Sequence, residues 1–210
     1  MEAHTQQQED EAFWLARFAT DIPVLDLPTD HARPARRTFA SARVDHVLDD
    51  ALTAALRQLG ARRGASLFAT LLAGFSTLLG RLSGQDSVVI GIPAAGQAVG
   101  GHDTLVGHCV NTLPLRFDLS AQQGFDAALD GAQDVLLDAL EHQRYTFGTL
   151  LKKLPIARDP SRMPLVSVLF NIDQALDSEA QAFPGLAQEF FDNPRRFDTF
   201  ELFVNAAQVH

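Results

Sequence analysis

The sequence predicts a layered α/β fold in which a mixed sheet is flanked by helices, and three observations carry the prediction. Ser87 to Ile92 reads Ser-Val-Val-Ile-Gly-Ile, a β-branched run of the kind that forms a buried strand. Leu165 to Ile172 is a second apolar run of strand length, preceded by Pro164. Between them, from about Gly124 to His142, Phe125, Ala128, Leu129, Ala132, Val135, Leu136, Ala139 and Leu140 recur at helical spacing. Helices set between buried strands are the order expected of a layered architecture.

The remaining elements follow along the chain. Residues 1–9 are polar and read as a flexible tail. Phe13, Trp14 and Phe18 give Asp10 to Ala19 the spacing of a short amphipathic helix. Asp21 to Arg37 has prolines at 23, 28 and 34 and reads as an extended connector laid over a surface. Thr38 to Val44 alternates like a strand. Val47, Leu48, Leu52, Ala55, Leu56 and Leu59 form one apolar helix face. Leu67, Phe68, Leu71, Leu72, Phe75, Leu78, Leu79 and Leu82 cover more than one face, so the next helix is packed on several sides, with Ser66 as its N-cap and Gly84 as its stop. Pro93 to Asp103, with Gly96, Gly100 and Gly101, is a loop. Val110 to Leu119 is a strand interrupted by Pro114, Phe147 to Leu154 a shorter helix, and Phe200 to Ala206 a last strand. The organisation is thus a tail (1–9), a helix with connector (10–37) and one α/β unit (38–210). Phe190, Phe191, Phe197, Phe200 and Phe203 gather aromatic surface toward its end.

Composition narrows the function. Hydrophobic residues make up 46% and charged residues 20%, ordinary values for a globular chain. The net charge of −9, from 17 basic and 26 acidic side chains, disfavours phosphate backbones and anionic membrane surfaces as partners. Cys109 is the only cysteine, so no internal disulfide forms, which fits a reducing cytoplasm. The first ten residues have neither the basic nor the apolar region of a signal peptide. Ala65 to Leu82, the most apolar stretch, is too short and too polar to span a bilayer.

Familiar catalytic signatures are missing. The sequence has no Walker A loop, no zinc-protease helix motif and no Gly-x-Ser-x-Gly elbow. Gly96-Gln-Ala-Val-Gly100 is not a dinucleotide fingerprint and reads as a turn. The histidines at 4, 31, 46, 102, 108, 142 and 210 form no i, i+4 pair, so no metal site is expected.

Three segments in order carry a resemblance. They are Val106-Gly-His-Cys-Val-Asn-Thr-Leu-Pro-Leu-Arg116, His142-Gln-Arg-Tyr-Thr-Phe147, and Arg158-Asp-Pro-Ser-Arg-Met-Pro-Leu165 followed by Val168-Leu-Phe-Asn171. They are similar to the late core motifs Val-Gly-x-Phe-Val-Asn-Thr-x-x-x-Arg, His-Gln-Asp-x-Pro-Phe and Arg-Asp-x-Ser-Arg-x-Pro-Leu of condensation domains from non-ribosomal peptide synthetases. Cys109 stands where that family has phenylalanine, and Arg144 and Thr146 where it has aspartate and proline. Leu25-Asp-Leu-Pro-Thr-Asp30 with Arg33-Pro34, Arg81-Leu-Ser-Gly-Gln-Asp86 and Gly91-Ile-Pro-Ala-Ala-Gly96 agree, so the resemblance runs from Phe13 to Asn205.

The resemblance implies a chloramphenicol-acetyltransferase-like fold of two similar subdomains meeting in a V, with this chain as the C-terminal subdomain. The end of the chain reads as truncated against that pattern. A tunnel runs between the subdomains, and carrier proteins present phosphopantetheine arms at its two ends. The activity implied is amide-bond formation between a carrier-bound acyl or peptidyl donor and an aminoacyl acceptor, with no cofactor bound directly. Implied partners are the N-terminal subdomain, the carrier proteins and an adjacent adenylation domain. The family's His-His-x-x-x-Asp-Gly motif is absent, since no two histidines are adjacent and the single Asp-Gly pair, Asp130-Gly131, falls in a helical segment. No residue of this chain is therefore assigned as catalytic, and the chain alone is expected to be inactive.

His108, Asn111 and Arg116 are the tunnel candidates. Each has a structural alternative: a loop histidine, an amide satisfying buried backbone groups, and an ion-paired guanidinium. His142, Gln143, Phe147, Arg158, Asp159, Ser161, Arg162 and Pro164 are read as structural, His142 closing a helix and Arg158, Asp159 and Arg162 forming a charged turn held by an Arg–Asp clamp. Cys109 is read as a small buried hydrophobe. Competing readings are a non-catalytic carrier-binding or scaffold module, and a fragment of an epimerisation domain or coenzyme A-dependent acyltransferase on the same fold.

Overall fold

The structure is a computed structural model and describes residues 2–96, 106–120, 124–173, 186 and 195–207. Its elements are α1 (Glu2–Arg17), α2 (Asp50–Ala61), α3 (Leu67–Ser83), β1 (Ser87–Ala95), β2 (Val110–Asp118), α4 (Phe125–Glu141), α5 (Phe147–Lys153), β3 (Val168–Asp173) and β4 (Leu202–Ala207).

The strands form one sheet in the order β2-β1-β3-β4. β1 and β2 are antiparallel, with Ala94 opposite Asn111 and Val89 opposite Arg116. β1 with β3 and β3 with β4 are parallel, so the sheet is mixed, as the alternation of helices and strands predicts. Consecutive residues are buried along the middle of the strands, Val88 to Ile92 and Leu113 to Leu115, so the sheet is covered on both faces there. Phe68 and Phe75 of α3 pack their rings on Phe170 of β3, at 5.3 and 5.6 Å between centroids. Gly91 sits where β1 meets β3; a Cβ there would lie 2.5 Å from Val166 Cγ1 and 2.9 Å from Leu169 Cδ1, so only glycine lets the strands and the 166–169 segment close together.

Local chemistry explains the helix limits. Ser66 Oγ accepts the Ala69 N–H at 3.1 Å at the start of α3, and Gly84 ends it in the left-handed region at φ 67°. Asp49 caps α2 in the same way, accepting the Leu52 N–H at 2.7 Å.

Several expectations are corrected. Residues 2–9 are not a tail: helix α1 begins at Glu2, Gln6 and Asp10 bond along it at 2.9 Å, Asp10 and Trp14 are buried on its inner face, and Phe18 is buried just past its end. Thr38 to Val44 is not a strand; only Ala40 bridges Phe197, and Phe39 takes a positive φ of 59° that breaks any ladder. Val47 and Leu48 precede the Asp49 cap and lie outside α2, and Leu52 on its apolar face is exposed. On α4, Leu129, Ala132, Leu136 and Ala139 are buried, whereas Phe125 and Leu140 at its ends are exposed. β3 begins at Val168 rather than Leu165, because Leu165 sits at φ 64° in a tight turn in which the Val166 N–H meets the Pro164 carbonyl at 2.7 Å. Gly100, Gly101, Phe190 and Phe191 lie outside the described residues.

The connector after α1 is stitched to the surface, as its composition predicts. Gln85 accepts from the Asp26 N–H and donates to the Val24 carbonyl, each at 3.0 Å. Arg33 forks onto Glu201 at 2.9 and 2.8 Å. Arg37 donates to the Thr199 carbonyl at 3.3 Å.

Candidate functional site

Two of the sequence motifs meet beside the end of the β1–β2 hairpin. α4 ends at Glu141 and α5 starts at Phe147, so His142 to Thr146 must reverse the chain with backbone groups that no helix satisfies. Asn111, at the start of β2, supplies the partners. Its Nδ2 donates to the carbonyls of Gln143 at 2.9 Å and Tyr145 at 3.0 Å, and its Oδ1 accepts the N–H groups of Phe147 and Thr112, each at 3.0 Å. The amide is fully engaged and acts as a clamp between β2 and the turn. Thr146, where the related motif has proline, is the N-cap of α5, its Oγ1 accepting the Thr149 N–H at 3.4 Å.

The other side of the turn is held by α1. His142 Nδ1 lies 2.8 Å from Oδ1 of Asp10, a carboxylate only 1% exposed, and the imidazole stacks on Phe13 at 4.1 Å. Trp14 Nε1 donates to the His142 carbonyl at 2.9 Å. Tyr145 donates its hydroxyl to Glu11 at 3.2 Å, and Lys153 of α5 pairs with the same carboxylate. The Lys153 hydrogen bond, with help from Tyr145, holds the Glu11 pKa below the usual carboxylate range. Burial and the Glu11 charge push the Tyr145 phenol up, and Glu11 raises Lys153. Gln143 turns back to donate to the Leu140 carbonyl at 2.7 Å.

A shallow cleft of about 270 Å³ opens between the hairpin end and the turn, lined by Ala94, Gly96, Cys109, Asn111, Gln143, Arg144 and Thr146. Of the three tunnel candidates, Asn111 lines this cleft. His108 is exposed, next to Cys109 but not on the lining. Arg116 is five residues along β2 and engaged elsewhere: Nε donates to Ser87 Oγ at 3.2 Å, Nη1 to the Arg17 carbonyl that closes α1 at 3.4 Å, and Asp118 lies at 3.9 Å. Cys109 is half-buried, and its carbonyl accepts the Gly96 N–H at 2.8 Å.

The third motif lies apart from the cleft and holds the connector. Asp159 accepts the Ser161 N–H at 2.8 Å, and bonds from Ser161 hold its pKa low. Arg162 donates through Nη1 to the Leu25 carbonyl at 2.9 Å. Its Nε lies 3.5 Å from Asp159, close enough for attraction but without hydrogen-bond geometry. Arg158 is exposed and makes no ion pair among the described residues, so Arg162 alone forms the clamp. Pro164 is exposed and precedes the Leu165 turn. No group of metal-ligating side chains occurs among the described residues.

Sequence reasoning missed the roles of Asp10, Glu11 and Tyr145. Asp10 and Glu11 open the segment that reads as a short amphipathic helix, and an acid one turn before a tryptophan carries no local signal of a partner 132 residues away.

A family profile described as the condensation domain matches residues 1–208. Tyrocidine synthase 2 of Brevibacillus parabrevis is 39% identical over 163 residues, covering 78% of this chain and 4% of that protein. Tyrocidine synthase 3 of the same organism is 36% identical over 202 residues, covering 95% of this chain and 3% of that protein. The chain therefore spans only a small part of the curated relatives it matches. Among solved structures, a four-domain nonribosomal peptide synthetase superposes with a TM-score of 0.75 at 27% identity over 82% of this chain and 13% of that one. The X-domain from teicoplanin biosynthesis superposes at 0.82 and 23% identity over 94% of this chain and 44% of that one. The mixed sheet and its helices are those of the chloramphenicol-acetyltransferase-like fold. With the profile spanning nearly every residue and relatives at 36–39% identity, the chain belongs to the condensation domain family of non-ribosomal peptide synthetases.

Proposed function

We propose that this chain is the C-terminal portion of a condensation domain and forms one wall of the channel in which two carrier-bound substrates are joined by an amide bond. In that reaction the amine nitrogen of the aminoacyl acceptor attacks the thioester carbonyl of the donor. A C–N bond forms, the C–S bond breaks, and the donor's phosphopantetheine thiol leaves. The amine proton needs an acceptor, and neither Asn111 nor Arg116 can be it. Asn111 is an amide with no usable basicity and all its bonds made, and Arg116 stays protonated. The base belongs to the portion carrying His-His-x-x-x-Asp-Gly. Carrier proteins, that N-terminal portion and a neighbouring adenylation domain are the partners, in the reducing cytoplasm that the single cysteine suits.

The observation that supports the reading most is the cleft, assembled from Asn111 of one family motif and Gln143, Arg144 and Thr146 of another. Cys109 on its lining gives the test. With the N-terminal portion present, a carrier protein whose pantetheine thiol is activated as a pyridyl disulfide should become disulfide-linked to Cys109. Cys109→Ser should abolish the link. Capture that is no faster with the carrier-tethered arm than with free activated pantetheine would place the channel elsewhere.

A second reading, a non-catalytic binding module, is supported by likeness to an X-domain that was solved in complex with OxyB, at a TM-score of 0.80 over 95% of this chain. A protein partner that binds tightly while the condensation assay stays silent would favour it.

A further inference from the structure

We infer that the docking of α1 sets the shape of the cleft, with the His142–Phe147 turn as the link between them. The turn divides its side chains between two neighbours. His142 and Tyr145 are held by Asp10, Phe13, Trp14 and Glu11 of α1. Gln143, Arg144 and Thr146 line the cleft, opposite Ala94, Gly96 and Cys109. The backbone that joins these two sets of side chains is fixed to β2 by Asn111, through Gln143, Tyr145 and Phe147. A displacement of α1 moves His142 and Tyr145, and with them the three cleft residues interleaved between and beside them.

Asp10 is the strongest of these joints. It is 1% exposed, and its Oδ1 takes both the Gln6 amide at 2.9 Å and the His142 ring nitrogen at 2.8 Å. A buried carboxylate cannot give up its partners without leaving an uncompensated charge, so α1 and the turn move together. The coupling is reciprocal: whatever shifts α1 alters the cleft, and whatever fills the cleft alters the docking of α1 by the same factor.

The chain holds a reporter at each end. Trp14 in α1 is its only tryptophan, and Cys109 on the cleft its only cysteine. Asp10→Asn and Tyr145→Phe would be compared with the unaltered chain by Trp14 emission and by the rate at which Cys109 reacts with a small aromatic disulfide. Arg63→Ala serves as control, since it loosens the contact of Arg63 with Asp126 and Asp130 on α4, away from both reporters. We expect Asp10→Asn to move Trp14 emission to longer wavelength and to change the Cys109 rate by about fivefold or more. Tyr145→Phe, which deletes one hydroxyl, should do the same to a smaller degree, and it carries the test if Asp10→Asn does not fold. Blocking Cys109 should in turn shift Trp14 emission. A shifted Trp14 with an unchanged Cys109 rate, or an equal change in Arg63→Ala, would overturn the inference.

Discussion

Asn111 on β2 accepts through its Oδ1 the backbone N–H of Phe147, at 3.0 Å, and so fixes where α5 begins. The same amide holds the carbonyls of Gln143 and Tyr145. An aspartate of the same shape would face those carbonyls with acceptors only. Asn111→Asp and Asn111→Ala should each cost about 2 kcal/mol or more, because the turn's backbone groups lose their partners. Urea unfolding measures this, and Asn111→Asp should be the worse of the two at neutral pH. A loss within error for both would mean water replaces the clamp.

The charged turn before β3 should respond unequally. Arg162 is mostly buried and donates to the Leu25 carbonyl, whereas Arg158 is exposed and unpaired among the described residues. Arg162→Ala should cost about 2 kcal/mol and free the connector to early proteolysis. Arg158→Ala should leave the unfolding midpoint unchanged. Equal losses would show that Arg158 has a partner of its own.

Acid should weaken the fold in a defined way. Glu11, Asp130 and Asp159 have folded pKa values below their ordinary 4.5, 3.8 and 3.8, through Lys153, Arg63 and Ser161 respectively. Each contributes stability that is present above the unfolded value and lost as pH falls through the folded one. Lys153 is raised, so its share is present below its unfolded value and lost in alkali as pH rises through the folded one. Unfolding midpoints measured from neutral to acid pH should fall, and Glu11→Gln should flatten that fall. An unchanged slope in Glu11→Gln would remove Glu11 from the account.

Glycines offer a paired test of packing. Gly91→Ala would press a methyl group on Val166 and Leu169 and should cost about 1–3 kcal/mol. Gly131, on the exposed side of α4, has no atom within 4 Å of its missing Cβ, so Gly131→Ala should gain about 1 kcal/mol of helix stability. Calorimetric midpoints should move in opposite directions. A loss in Gly131→Ala would show that this face is covered.

Strong local signals made most of the fold legible. The β-branched run at 87–92 and the Ser66 and Gly84 caps announce β1 and α3 because strand and cap preferences act within a few residues. Failures came where long-range contact decides. Leu165 at φ 64° has no sequence mark, since a leucine there is tolerated only because the folded chain holds it. The polar residues 2–9 read as tail because the contact that anchors the helix, Asp10 with the α4 C-cap His142, spans 132 residues. At the site, the family motifs named Asn111 and the His142–Phe147 run, but their junction is a tertiary event. Arg116 lies on the same strand, yet it is drawn to Ser87 and the end of α1.

The proposal that this chain is a channel wall lacking the base is tested most directly by product formation. The chain would be mixed with two loaded carrier proteins, with and without the portion bearing His-His-x-x-x-Asp-Gly, and the acceptor carrier examined by mass spectrometry for a transferred dipeptidyl thioester. The account predicts product only when both portions are present, and the uncatalysed background when this chain is alone. Turnover by this chain alone would contradict it and direct attention to exposed His108 beside the cleft.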